Sequence, residues 1–81
     1  MTNKVSFKKN GERCTVTLSN SSKTDECTTT YEISVFDSDD DRWEDHAKTT
    51  STLKPKTVLS KEYHKYGATD WDYTIVDNYC E

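Results

Sequence analysis

The fold class is decided by residues 4–18, which read KVSFKKNGERCTVTL. Apolar and polar side chains alternate on both sides of Asn10-Gly11, a dipeptide that favours the two-residue turn of a β-hairpin. If those two residues form the loop, Phe7 faces Cys14, and every apolar side chain of the pair lies on one face. We therefore predict an N-terminal hairpin with an Asn10-Gly11 turn.

Four later segments carry strand signals of differing strength. Residues 28–36 and residues 70–77 alternate clearly, while residues 47–53 indicate a weaker strand at a sheet edge. Residues 57–66 fit a short helix that ends at Gly67, or a strand, which we favour because the neighbouring elements are strands. Together these segments predict an all-β chain, a small antiparallel sandwich or barrel of about six strands.

Three features resemble bacterial immunoglobulin-like modules in a general way. They are a polar Asn-Ser loop around Asn20, a Tyr31-x-Ile33-x-Val35 strand and a Leu53-x-Pro55 turn. The resemblance implies an immunoglobulin-like arrangement of the strands. Because many sandwiches share these features, it implies an architecture and not a family.

Length and composition limit the size of the core. The chain has 81 residues, which predicts one domain over 1–81, and only 12 of them are Leu, Ile, Val or Phe. Aromatic side chains and inward-facing cysteines must therefore complete the packing. Two glycines are too few for a glycine-rich phosphate loop, and no apolar run approaches the length of a membrane span.

The three cysteines lack the C-x-x-C spacing of a zinc or redox site. We expect them to be buried and reduced, which agrees with a cytoplasmic chain, or one in the host cell if it is phage-encoded. The alternative is one disulfide, with Cys14 and Cys27 as the candidate pair because both face inward. A disulfide would agree with the alternative location, which is secretion. In a secreted chain, the sequon at Asn20 would be a potential site of N-glycosylation.

Charge is strongly segregated along the chain although the net charge is only −4. Residues 1–24 and residues 46–66 each carry a net charge of +4, residues 25–45 carry −8 and residues 67–81 carry −4. Such an uneven field can steer a charged partner and raise its rate of association.

The most acidic segment surrounds a tryptophan, and we predict that it binds a protein partner with a basic surface. An aromatic side chain among charges is typical of an interface hot spot. The predicted partner-binding residues are Asp37, Asp39, Asp40, Asp41, Trp43, Glu44 and Asp45. Alternate oxygens at Asp37, Asp39 and Asp41 also suggest weak calcium ligands, but Arg42 and Lys48 stand where an EF-hand needs Gly and Glu.

The functional hypothesis is therefore a non-catalytic binding protein. Its sharpest form is a small phage-type acidic inhibitor, or DNA mimic, which needs the acidic tracts 37–45 and 70–77 on one face about a duplex width apart. The alternative is an extracellular calcium- or carbohydrate-binding module. Its carbohydrate platform would be formed by an aromatic set, with Asp70 and Asp72 as acceptors; the set is Trp43, Tyr63, Tyr66, Trp71, Tyr73 and Tyr79. We expect no catalytic residues, no cofactor, no membrane contact and no direct nucleic-acid binding, because the basic residues are scattered lysines.

Overall fold

The computed structural model describes residues 1–81 and contains six β-strands and no helix. The strands are β1 (Lys4–Asn10), β2 (Arg13–Ser19), β3 (Cys27–Asp37), β4 (Arg42–Leu53), β5 (Val58–His64) and β6 (Ala68–Cys80). They form two antiparallel three-stranded sheets, sheet A in the order β1-β2-β5 and sheet B in the order β4-β3-β6. No helix in the structure has the length and hydropathy of a membrane span.

The strand order confirms the predicted all-β architecture. The order of the strands is the same as that of strands A, B and E in one sheet, and of strands C′, C and F in the other, of an immunoglobulin sandwich. No strand occupies the position of G, so β6 has a neighbour on one side only. Contacts between the sheets place β1 beside β6, where Phe7 packs on Tyr73. They place β5 beside β4, where the hydroxyl groups of Tyr63 and Thr49 are hydrogen-bonded.

The N-terminal hairpin forms, but its register differs from the prediction by two residues. Asn10 pairs with Arg13 and Phe7 pairs with Val16, so Gly11 and Glu12 are the loop. Gly11 has φ +60°, as the first position of a type II′ turn requires. Because side chains alternate with a period of two, a shift of two residues leaves every face assignment intact.

Tertiary contacts around the loop explain why this register is selected. The carbonyl of Gly11 accepts a hydrogen bond from the indole Nε1 of Trp71 at 2.9 Å. Glu12 accepts one from the Lys65 backbone at 2.9 Å, and its side chain accepts one from the Gly67 backbone. The loop is therefore held against the β5–β6 turn, which the sequence of the hairpin does not contain.

The core lies between the sheets and is built as the composition suggested. Its ten buried residues are Cys14, Val16, Leu18, Tyr31, Ile33, Val35, Leu53, Tyr63, Ala68 and Trp71. The phenol groups of Tyr31 and Tyr63 share a buried hydrogen bond of 2.8 Å, and burial together with that bond raises the pKa of Tyr31. Aromatic side chains thus supply much of the core volume.

The expectation that all three cysteines are reduced is wrong. The structure has the alternative, one disulfide with a leftover thiol, but the candidate pair Cys14–Cys27 is not the one that forms. Cys27 forms a disulfide with Cys80, and Cys14 is the buried free thiol. Cys14 and Cys27 lie on β2 and β3, which belong to different sheets, whereas β3 and β6 are hydrogen-bonded neighbours that place Cys27 opposite Cys80. Burial, and then the charge of Glu62, raises the pKa of Cys14 to about 11.

Asn20 is a buried structural residue and not a surface glycosylation site. Its side chain is 2% exposed, and Nδ2 donates to the carbonyls of Asp25, Leu53 and Lys54 at 2.9–3.2 Å. Its Oδ1 accepts a hydrogen bond from the Ser22 backbone. The folded domain therefore uses the whole amide to join the β2–β3 loop to the end of β4.

Both edge strands of sheet B are longer than predicted and carry bulges. β4 begins at Arg42, not at residue 47, and His46 is its extra residue between Asp45 and Ala47. β6 has extra residues at Thr69 and Val76. Residues 58–64 form the favoured strand, β5, and no helix forms there.

Candidate partner-binding site

The predicted acidic loop is a four-residue turn between two strands. β3 ends at Asp37 and β4 begins at Arg42. The backbone N–H of Asp41 donates to the Asp37 carbonyl at 2.8 Å, and that of Asp39 donates to Asp37 Oδ1 at 2.9 Å. Asp41 adopts the left-handed conformation, with φ 53°, which Asp tolerates better than most residues. The turn therefore projects Asp39, Asp40 and Asp41 into solvent.

Trp43 stands on the outer face of sheet B, the side turned away from sheet A. It is opposite Phe36 in the register, and the two ring centroids are 5.5 Å apart. The Trp43 side chain is 48% exposed. The pair thus forms a partly exposed aromatic step at the base of the acidic turn.

The structure separates Glu44 from the other predicted residues. Glu44 pairs with Val35, whose side chain is in the core, so it lies on the inner side of β4. Its two carboxylate oxygens are 3.5 Å from Arg42 Nε and 3.7 Å from Lys65 Nζ. These cations already neutralise Glu44, whereas Asp45 lies with Trp43 on the outer side of the strand.

Phe36 and Asp72 also belong to this surface but were not among the predicted partner-binding residues, although Asp72 lies in the acidic tract 70–77. Ser34 of the central strand has Asp45 as its neighbour on β4 and Asp72 as its neighbour on β6. The two acidic tracts therefore share one face, about 10 Å apart, which is two strand spacings. The alternation of β3 and β6 gives the correct parity for both residues, but only strand pairing places Phe36 beside Trp43 and Asp72 across β3 from Asp45.

The carboxylates that come together differ from the predicted calcium set. Oxygens of Asp37, Asp40 and Glu44 lie within 4.8 Å of one another, and Asp39 and Asp41 are outside this group. Carboxylate oxygens are ligands that Ca²⁺ uses. Since Glu44 also faces Arg42 and Lys65, a cation at this point would compete with two side chains of the protein.

The exposed aromatics do not form one platform. Trp71 and Tyr63 are in the core. Tyr79 pairs with Thr28, eight residues along β3 from the partner of Trp43. At about 3.3 Å per residue, some 27 Å separates Tyr79 from the aromatic step. The aromatic set of the carbohydrate hypothesis is therefore divided between the core and two ends of a face.

His46 lies inside the sandwich because the bulge on β4 turns it inward. Its ring is edge-on to Trp71, with centroids 5.3 Å apart, and to Tyr63 at 6.3 Å. Burial, and then the charge of Lys65, lowers the pKa of His46. The bulge also leaves a depression of about 280 Å³ on sheet B, lined by Glu32, Asp45, His46, Ala47 and Lys48.

The outer faces of the two sheets carry opposite charge. By register, the outer face of sheet A carries the cations Lys4, Lys8 and Arg13 and one anion, Glu62. The outer face of sheet B carries the anions Glu32, Asp45, Asp70, Asp72 and Asp77 and one cation, Lys48. The charge blocks of the sequence thus become charged faces, and the acidic turn extends the negative one.

Comparisons with protein-family models, curated proteins and solved structures find no match.

Proposed function

We propose that this chain is a non-catalytic binding protein that captures a protein with a basic surface through the acidic end of sheet B. The observation that carries the proposal is the half-exposed Trp43, which stands on Phe36 between the aspartates of the turn and Asp45. An aromatic anchor with a charged surround is the usual composition of an interface hot spot.

The surrounding charges support an electrostatic mode of recognition. The turn aspartates and Asp45 are solvent-exposed. Their field attracts a basic partner over distances of about a Debye length, roughly 8 Å at physiological ionic strength. Trp43 then supplies the apolar contact, while the carboxylates orient the partner and raise the rate of association.

The disulfide bears on where this binding occurs. Disulfides persist mainly in oxidising compartments such as the extracellular space, so the Cys27–Cys80 bond supports secretion over the cytoplasmic location that the sequence favoured. The acidic inhibitor remains one form of the proposal. The separation of about 10 Å between Asp45 and Asp72 suits a narrow basic element better than a groove of duplex width.

The experiment compares capture of a basic partner by matched variants. The immobilised chain is incubated with extract, captured proteins are identified, and the affinity of the principal one is measured by titration. Trp43→Ala should weaken binding by about thirtyfold, the effect of losing a hot spot of about 2 kcal/mol. Asp40→Asn with Asp45→Asn should weaken it further and reduce its salt dependence.

Two controls keep the result interpretable. Tyr66→Ala removes an aromatic that is far more exposed than Trp43 and lies in the β5–β6 turn. Glu26→Gln with Glu81→Gln removes two exposed charges near the other end of the sandwich. Both controls should bind as the parent chain does. Equal loss in the Trp43 variant and the controls, or capture of partners without a basic surface, would refute the proposal.

A further inference from the structure

The free edge of β6 has apolar side chains that a further strand would cover. Tyr73 is 36% exposed and Ile75 is 37% exposed, although both pair with core residues of β3 and so face the space between the sheets. Val5 and Phe7 of β1 only partly bury this side of the core. The cleft between β1 and β6 is therefore apolar and half open.

The opposite side of the sandwich differs. There the inner positions in the middle of β4 are Ala47, Thr49 and Ser51, which are small or polar, and Leu53 at the end of the strand is buried in the core. Thr49 is hydrogen-bonded to Tyr63, and Lys65 of the β5–β6 turn reaches Glu44. Leu59 of β5, which pairs with the core residue Leu18, is 45% exposed on this side, so apolar surface is open at both sides of the sandwich. The β6 side, where an immunoglobulin sandwich would place strand G, differs in the aspartates along its edge.

Backbone N–H groups along the free edge of β6 donate hydrogen bonds to aspartate side chains and not to another strand. Asp70 accepts a hydrogen bond from the Trp71 N–H at 2.8 Å, and Asp72 accepts one from the Tyr73 N–H at 2.8 Å. Asp77 does the same for Asn78 at 3.0 Å. Each aspartate therefore occupies a main-chain donor that would otherwise bond to a neighbouring strand, which protects the edge from unspecific pairing.

The regular part of this edge is long enough for a short strand. The bulges at Thr69 and Val76 enclose residues 70–75, which pair with β3 without interruption. An added strand would release the carboxylates of Asp70 and Asp72, and these charges need new partners. Lys9, 2.9 Å from Asp70, already supplies one and holds the pKa of that carboxyl below its usual range.

We propose that the 70–75 edge of β6 binds an extended segment of another protein as an additional strand, with apolar residues facing Tyr73 and Ile75 and Lys or Arg facing the released aspartates. Main-chain hydrogen bonds provide affinity in strand addition, and alternate side chains provide specificity. This edge shares Asp72 with the acidic face but does not include Trp43, the residue that carries the proposed function, so this inference does not depend on that proposal.

The experiment uses synthetic peptides of seven residues and the intact, oxidised chain. The probe peptide, Lys-Val-Lys-Val-Lys-Ile-Lys, is compared with a peptide of the same composition in which the lysines are contiguous, by fluorescence anisotropy and backbone NMR. The alternating peptide should bind at least tenfold more tightly. Its binding should protect backbone amides of residues 70–75 from exchange, and replacing its lysines by glutamates should abolish binding.

Backbone methylation of the peptide separates strand addition from charge attraction. N-methyl groups on alternate residues block only one edge of an extended peptide. Methylation on the edge that faces β6 should abolish binding, whereas methylation on the opposite edge should leave it unchanged. The Ile75→Thr variant should weaken binding about tenfold, while Val58→Thr, at an exposed position of edge strand β5, should not.

Several results would overturn the inference. Equal affinity of the alternating and contiguous peptides, or equal effects of methylation on either edge, would mean that only charge is recognised. Concentration-dependent dimerisation of the free chain through residues 70–75 would mean that a second copy occupies the edge. Loss of peptide binding in Trp43→Ala would place the peptide at the acidic end of sheet B. The proposed function is tested separately, by capture of a partner with the Trp43, Asp40 and Asp45 variants.

Discussion

Removal of the Cys27–Cys80 disulfide should strongly destabilise this chain. The bond joins residues 53 positions apart and so restricts most of the unfolded chain. The loop-closure relation gives about 4 kcal/mol at 25 °C for a loop of this length. A domain of 81 residues has a free energy of unfolding of about 4–12 kcal/mol, so the loss is between a third and all of it.

Urea denaturation followed by tryptophan fluorescence measures this loss. The parent chain is compared with Cys27→Ala/Cys80→Ala. With a slope of about 1 kcal/mol per molar urea, the midpoint should fall by roughly 4 M, or the variant should be unfolded without urea. The thiol of Cys14 provides an independent readout, because burial protects it from thiol reagents until the chain unfolds.

The control is Cys14→Ala, which retains the disulfide and removes only a buried thiol. It should keep a midpoint much closer to that of the parent chain. Reducing agent should lower the midpoint of the parent and of Cys14→Ala, and should not affect the double variant. A loss of less than about 1 kcal/mol in the double variant would refute the argument that closure of this long loop stabilises the fold.

Three further predictions concern single sites. Asn20→Ala should lower the free energy of unfolding by about 3 kcal/mol, because it leaves buried carbonyls without donors. The control Ser21→Ala should have little effect in the same urea assay. A glycan at Asn20 of the folded domain would contradict the structure. Because the pKa of His46 is lowered in the folded state, its contribution to stability is present above pH 6.5 and is lost as the pH falls through the lower folded value. His46→Gln should flatten this part of the stability–pH profile and His64→Gln should not, and identical profiles for the two variants would refute the assignment. Millimolar calcium should leave the melting temperature unchanged, because Arg42 and Lys65 face Glu44; a rise that Asp40→Asn removes would instead support a calcium site.

The faces of the strands could be derived from the sequence. Alternation with a period of two correctly placed Cys14, Val16 and Leu18 inside, and Tyr31, Ile33 and Val35 opposite them across the core. These results follow because the direction of a side chain in a strand depends only on the parity of its position.

The candidate site could be derived only in part. The exposure of Trp43 and of the turn aspartates agrees with the composition of that segment. Phe36 and Asp72 become part of the site because β3 lies between β4 and β6, and Glu44 leaves it because the bulge at His46 changes the parity of β4. A bulge inserts one residue, so every parity argument beyond it is reversed.

What the sequence determined by itself was therefore local: strand periodicity, the existence of the N-terminal hairpin and the segregation of charge. What the tertiary structure decided was pairing: the Gly11-Glu12 loop, held by Trp71 and the β5–β6 turn, and the partner of Cys27. It also decided the open edge of β6. Local preferences act within a few residues, whereas pairing depends on which segments of the whole chain compete for the same neighbour.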